Sequence, residues 1–319
     1  MKMKGYTNIL FGPKLKFITK DDKKTFSKII PLVDNNKIQN EIIKIIKFYK
    51  RNNVKFLILD HYKINLKIQN LLKINKIKWL QFDLFADKKL IADIVLNYSP
   101  ASVSLKYDKV LDKKKSRLCL GPKYAILRRE FSEIKKSKIR KEVKDIFICF
   151  GGGNDRGAIL KVLKSFKNYE YQKYKITIVS GSQNPNKKQI LNWIQKNKDF
   201  NVSIFFDRKN LTSLFFKADI AIISGGTISY ECATTNTPMM ILSIAKNQIN
   251  TSKFWNKNEA GIYLGKLKDC NSQKIIINFN SLLYNLDLRN KISKNALRLC
   301  DGSGVKRISH KINNFINSD

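Results

Sequence analysis

Acidic residues and histidine are what this chain is short of. Its 319 residues carry 25 Asp and Glu against 62 Lys and Arg, for a net charge of +37, and only two histidines, His61 and His310. With so few histidines and no CxxC pair among the cysteines, neither a metal centre nor a bound cofactor is expected. The five dispersed cysteines (Cys119, Cys149, Cys232, Cys270, Cys300) exclude a disulfide framework and suit small buried side chains in a reducing cytoplasm. No apolar run is long enough to span a bilayer and no secretory segment is evident, so stable membrane insertion is not expected. The absence of a GxGxxG turn argues against a simple dinucleotide site. The basic excess would ordinarily point to nucleic acid. Here it is mostly lysine spread evenly among abundant Asn and Ile, and aromatics are not interleaved with it as in RNA-reading modules. It reads as a solvated surface, and no nucleic-acid partner is expected.

What is present is β/α alternation, at a length that accommodates two domains. Leu15 to Thr19 reads as a strand, Asp21 to Ile30 as a loop running into a short helix, and Ile38 to Tyr49 as a helix with Ile and Phe at helical spacing. Strands follow at Lys55 to Leu59, Ile77 to Phe82 and Ile94 to Asn97. The first of them ends in Asp60-His61-Tyr62, polar groups at the carboxyl edge of a parallel sheet, where open α/β folds bind ligands. The charged run from Glu133 to Lys144 lacks apolar periodicity and reads as a linker. A second alternation places strands at Ile146 to Phe150, Lys175 to Val179, Val202 to Phe206, Ile220 to Ile223 and Met239 to Ser243. Gln248 to Ala260 and Ser281 to Asp319 read as helices closing that domain. The fold class is therefore α/β, with Rossmann-like domains over 1–132 and 145–319 joined by 133–144. This describes a glycosyltransferase-B-like architecture, with the substrate expected in the cleft between the domains.

The most informative stretch runs from Asp219 to Gln248. Its apolar strand stops at Ser224-Gly225-Gly226-Thr227 and a helix starts at once. Ser224, Thr227 and Ser229 offer capping oxygens, and the glycines let backbone N–H groups approach a ligand with no Cβ in the way. A helix N-terminus attracts anions, so a diphosphate suits the turn. Glu231, one turn into the helix, would repel phosphate but can accept hydrogen bonds from ribose hydroxyls. Gly151-Gly152-Gly153-Asn154 forms a second turn of this kind on the same domain. The alternative is that these glycines serve packing only and that Glu231 is a solvated surface charge.

The series ILDHY (Ile58 to Tyr62), LGPKYAILRREF (Leu120 to Phe131), FICFGGGND (Phe147 to Asp155), and SGGTISYE with the later KNQ (Ser224 to Glu231, Lys246 to Gln248) resembles a known family. It is similar to the UDP-2,4-diacetamido-2,4,6-trideoxy-β-L-altropyranose hydrolases of pseudaminic acid biosynthesis, within the glycosyltransferase-B-like superfamily. The resemblance implies release of UDP by C1–O cleavage. UDP would be held at Gly151, Gly152, Gly153, Asn154, Ser224, Gly225, Gly226, Thr227 and Glu231, with Asn247 and Gln248 on the sugar side and Tyr62 facing the active site. The family opens with a strand, a glycine-rich loop ending in Gly-His, and a helix. The stretch before Leu15 is too short for all three, since a helix alone averages about eleven residues, and Gly5-Tyr6 is what stands for the Gly-His step. The resemblance thus implies a first sheet with a central strand missing, and leaves Tyr62 and His61 as catalytic candidates, His61 reading first as a structural or cleft-lining group. A UDP-sugar-dependent glycosyltransferase and a UDP-sugar-binding protein without turnover are the alternatives.

Overall fold

A computed structural model of the chain describes residues 6–12, 18–32, 38–100, 102, 107–111, 116–133, 138–167, 171–208 and 210–317. It divides into unit 1, comprising Met1–Tyr98, Ser102–Tyr124 and Val305–Asp319, and unit 2, comprising Ser99–Ala101 and Ala125–Gly304.

Unit 1 begins with strand β1 (Ile9–Gly12), helix α1 (Lys20–Thr25) and strand β2 (Lys28–Pro31). This differs from the sequence expectation of a strand at Leu15 to Thr19 and a late helix. Residues 13–17 lie outside the described residues, and Thr19 is the N-cap of α1, in a capping box with Asp22. That helix, KDDKKT, buries nothing. No apolar stripe announces it, and capping chemistry alone marks its start. Helix α2 (Ile38–Arg51) places Ile42, Ile45 and Ile46 on one buried face, each worth about 1.5 to 3 kcal/mol of transfer free energy. Strand β3 (Leu57–Leu59), helix α3 (Leu66–Ile74) and strands β4 (Trp79–Phe82), β5 (Ile94–Asn97) and β6 (Arg117–Leu120) follow.

All described strands of unit 1 run parallel but lie in two separate sheets, β1-β2 and β3-β4-β5-β6. Phe11 of β1 packs on the same apolar cluster as Leu57 and Leu59 of β3, whereas Ile58, in the middle of β3, is 45% exposed.

Unit 2 begins with a short helix, α4 (Arg129–Glu133), and then alternates regularly. Its strands are β7 (Asp145–Cys149), β8 (Lys175–Ser180), β9 (Val202–Phe206), β10 (Ile220–Ile223), β11 (Met239–Ser243) and β12 (Ile262–Lys266). Between and after them come α5 (Ala158–Phe166), α6 (Lys187–Lys196), α7 (Thr212–Lys217), α8 (Thr227–Thr234), α9 (Ile249–Lys257), α10 (Ser272–Tyr284) and α11 (Leu286–Leu299). Among the described residues these six strands are all parallel, in the order β12-β11-β10-β7-β8-β9. The chain moves outward in one direction from β7 and in the other from β10, so these two strands flank the topological switch point, where open α/β sheets bind ligands. Every residue of β10 and β11 is buried, as expected of parallel strands covered on both faces. Strand β12 was not foreseen. Gly261 and Gly265 interrupt its pattern, and its register against β11 shifts between Ile241 and Leu242.

The expected boundaries also move. Within the linker 133–144, residues 134–137 lie outside the described residues, and the rest is anchored to unit 2. Arg140 bonds Asp145 and Asp219, Val143 is buried in the main core, and the buried Arg289 donates to the Arg140 and Lys141 carbonyls. The last helix, α12 (Gly304–Asn317), expected in the second domain, groups with unit 1. Ile308 and Ile312 are buried there with Leu80, Ile94, Leu96 and Cys119. An amphipathic stripe shows that a helix covers a sheet, not which sheet it covers.

Candidate functional site

The turns leaving β7 and β10 are neighbours because those strands pair in register, Cys149 beside Ile223. Together they line a cavity of about 380 Å³ whose wall includes Gly151, Gly152, Ser224, Gly226, Thr227, Glu231 and Gln248. Gly153, Asn154, Gly225 and Asn247 are not part of that wall.

In the first turn Gly151 has φ +102, in the left-handed region. A Cβ at Gly151, Gly152 or Gly153 would meet nothing within 4 Å, so packing alone does not require these glycines. Their backbone borders open space. Asp155, 1% exposed, anchors the turn by accepting from the N–H groups of Gly157 (3.1 Å) and Ile159 (3.0 Å) and from Asn186 Nδ2 (2.7 Å). Its carboxylate therefore occupies amides at the start of α5, and the glycine amides, not that helix end, are what the first turn can offer an anion. Asn154 is exposed and its Oδ1 accepts from Arg156 N–H at 2.7 Å. Gly181, at the end of β8, is held against the turn, since a Cβ there would lie 1.7 Å from Gly152 O.

The second turn separates its two glycines. A Cβ on Gly225 would lie 2.1 Å from Ser252 Oγ and 2.8 Å from Gln248 O, whereas one on Gly226 would come no closer than 3.6 Å to anything. Gly225 is thus a close-packing glycine and Gly226 a cavity glycine. The expected caps do not form: Gly226 is the N-cap of α8 and no side chain caps the helix. Ser229 Oγ instead donates to Gly226 O at 2.7 Å and accepts from Trp255 Nε1 at 2.9 Å. The first amides of α8 are left without a side-chain acceptor, at the positive end of the helix. Gln248 Oε1 accepts from Ile244 N–H at 3.0 Å, which orients its amide group and leaves Nε2 as the donor nearest Gly226.

Glu231 is not a solvated surface charge. It is 8% exposed and its Oε1 accepts from Arg128 Nε at 3.3 Å and Nη2 at 3.1 Å. Burial pushes its carboxyl above the ordinary range, the Arg128 guanidinium pulls it back, and Glu130 adds to the rise. Sequence reading passed over Arg128, although it stands inside the LRREF motif, because nothing local shows which acid 103 residues away it meets. It also passed over Asp207 and Arg208, on the cavity wall at the carboxyl end of β9. Asp207 has φ +50 and accepts from Ser182 N–H at 2.9 Å; hydrogen bonding to the Ser182 side chain first, and to its N–H second, lowers its carboxyl. Arg208 lies over the Phe205 ring at 4.9 Å.

The two catalytic candidates belong to unit 1. His61 Nδ1 accepts from Lys63 N–H at 3.1 Å. In the neutral ring that leaves the proton on Nε2, so the imidazole is a donor and not a free base. Tyr62 is 75% exposed. Gly5, the other half of the Gly5-Tyr6 expectation, lies outside the described residues. Among the described residues no cluster of His, Cys, Asp or Glu could hold a metal ion, and no helix is long and apolar enough to cross a membrane.

Residues 125–250 match the family described as lipid-A-disaccharide synthetase. Among curated proteins, the chain is 28% identical over 212 residues to UDP-2,4-diacetamido-2,4,6-trideoxy-beta-L-altropyranose hydrolase of Campylobacter jejuni, covering 66% of this chain and 74% of that protein. Among solved structures, a glycosyltransferase from Rickettsia africae aligns with a TM-score of 0.64 at 18% identity, over 99% of this chain and 91% of its own. A UDP-glucosyltransferase from Polygonum tinctorium aligns with a TM-score of 0.66 at 11% identity, over 98% and 93%. The fold is accordingly that of the glycosyltransferase-B class, built from two Rossmann-like α/β units.

Proposed function

We propose that the chain is a UDP-sugar-using enzyme whose unit 2 grips the UDP. The observation that carries this reading is the cavity at the β7/β10 switch point, where open-space glycines on two adjoining turns sit beside an uncapped helix start and a buried carboxylate. Main-chain amides of the Gly151–Gly153 turn and the Ser224–Thr227 turn suit a diphosphate, with Gln248 Nε2 as a further donor. Glu231 Oε2 takes no hydrogen bond from the described residues and suits the ribose hydroxyls. Val179, Asp207, Arg208 and Leu211 line the same cavity and are the candidates for the base end. Asn247, exposed beside Gln248, remains a sugar-side candidate. When the sugar C1–O bond breaks, negative charge grows on the diphosphate, and fixed donors that meet it there lower the barrier without a general acid.

Transfer of the sugar to an acceptor is the chemistry favoured by the glycosyltransferases that share the fold. Hydrolysis is the second reading, supported by the C. jejuni hydrolase and by the DHY and LGPKYAILRREF motifs. In it Tyr62 is the water-side candidate, while His61, with Nδ1 taken, enters as a donor. Calorimetric titration with UDP, followed by incubation with a UDP-N-acetylhexosamine, tests both. UDP released only with an acceptor supports transfer, and UDP released without one supports hydrolysis. Binding without release indicates a binding protein, and no binding refutes the proposal.

A further inference from the structure

We infer that Arg128 is a positioning residue of the nucleotide site: it holds Glu231 by one carboxylate oxygen so that the other remains a charged acceptor for a ribose diol. This inference rests on the proposed binding of a UDP-sugar in unit 2. The geometry is specific. Both guanidinium contacts, from Nε and Nη2, go to Oε1, and Oε2 takes none from the described residues. Arg128 is itself held on two further sides, by Glu130 Oε1 at 3.4 Å from Nη1 and by the Phe131 ring, 5.2 Å from the guanidinium carbon. Phe131 is 1% exposed and meets Phe215 edge-on at 6.3 Å, so the platform under the guanidinium is fixed in the core. Arg128 is not part of the cavity wall and acts on a ligand through Glu231.

The pairing addresses a conflict built into the site. A carboxylate accepts hydrogen bonds from a diol best when charged, but burial favours its neutral form. Burial is the largest influence on Glu231, and Glu130 reinforces it. Glu231 also acts electrostatically on Cys149 of β7 and Cys232 of α8, but burial first of all keeps their thiols neutral, Cys149 pushed up to about 12 and Cys232 well above its ordinary value. Helix α11 packs on α8 as well, and among the described residues no titratable group of α11 acts on Glu231. Arg128 is the cation that opposes the rise. An acid raised above its ordinary value keeps its charge only above that raised value and loses it as the pH falls through it. Removing Arg128 raises Glu231 further, so ribose binding should fail at a higher pH.

The test is UDP titration by calorimetry from pH 5.5 to 8.5 on the wild-type chain, Arg128→Met, Arg128→Lys, Glu231→Gln and the Arg128→Met/Glu231→Gln double variant. UDP's own phosphate titrates in this range, but this is common to all variants and cancels in affinity ratios. Arg128→Met is expected to bind about tenfold more weakly near pH 6, the loss of roughly one charge-assisted hydrogen bond. The gap should close toward pH 8.5, Arg128→Lys should recover most of it, and the double variant should bind no more weakly than Glu231→Gln. A deficit of the same size at every pH, a further loss in the double variant, or no deficit at all overturns the role of Arg128 alone. Failure of the wild-type chain to bind UDP overturns the proposed function and this role with it.

Discussion

Two adjacent glycines should respond in opposite ways to one added methyl group. In Gly225→Ala the new carbon starts 2.1 Å from Ser252 Oγ and 2.8 Å from Gln248 O, against an ordinary contact of about 3.5 to 4.0 Å. Ser252 cannot simply turn aside. It is fully buried, within 2.9 Å of Ser243 Oγ, and donates to Gln248 O at 2.9 Å. The strand-to-helix turn or the start of α9 has to move, which costs about 2 to 3 kcal/mol for overpacking. For a unit of this size that is roughly 5 to 10 °C in Tm. Gly226→Ala meets nothing nearer than 3.6 Å, and its φ of −88 is open to any residue. Its stability should stay within about 0.5 kcal/mol of wild type. Its methyl, however, stands in the cavity, so UDP should bind about tenfold more weakly, and Gly226→Val should abolish measurable binding. Thermal and urea denaturation report the first effect and calorimetry the second. Wild-type stability in Gly225→Ala would refute the close-packing argument, and wild-type UDP affinity in Gly226→Val would refute the assignment of the second turn.

Other variants probe the remaining supports. Glu231→Ala should weaken UDP binding by roughly 1 to 3 kcal/mol at neutral pH; unchanged affinity in titration calorimetry removes the residue from the site. Gly181→Ala should push the first turn through its contact with Gly152 O, lowering UDP affinity and costing about 1 to 3 kcal/mol in urea unfolding. Arg289→Met should be the most damaging change outside the cavity. It strips four carbonyls, those of Leu282, Leu283, Arg140 and Lys141, of a buried donor, a loss of about 3 kcal/mol or more by chemical denaturation. All five cysteines are buried, and burial raises the Cys119 thiol to about 11 and Cys149 to about 12. A thiol reagent at pH 8 should therefore label none of them in the native chain and all of them after denaturation.

Much of unit 2 could be read from the sequence because most of its strands are short apolar runs that end abruptly in Gly, Ser or Asp, with β10 and β11 buried throughout. Less of unit 1 was legible. Helix α1 has no apolar face, and β1 and β2 are four-residue strands with nothing fully buried. The two turns were visible in the sequence, yet spelling does not separate Gly225 from Gly226. The difference lies in where Ser252 and Gln248 pack, and that follows from the docking of α9. The sequence marks Glu231 as a carboxylate one turn into α8, but shows neither its burial nor its partner. A surface charge and a buried ion pair look alike until the segment carrying Arg128 is brought back against α8. Asp207 and Arg208 stood at a strand's carboxyl edge without a motif to single them out, and only the shared cavity links them to the turns.

The docking of α12 has a consequence for synthesis on the ribosome. Leu80, Ile94 and Leu96 are made before unit 2, yet they share their core with Ile308 and Ile312, which emerge only after it. Unit 2, drawn mainly from residues 125–304, has all its strands in hand before that. The half translated first is therefore the half completed last, and until the final helix arrives its nascent sheet presents an uncovered apolar face to whatever surrounds the ribosome exit.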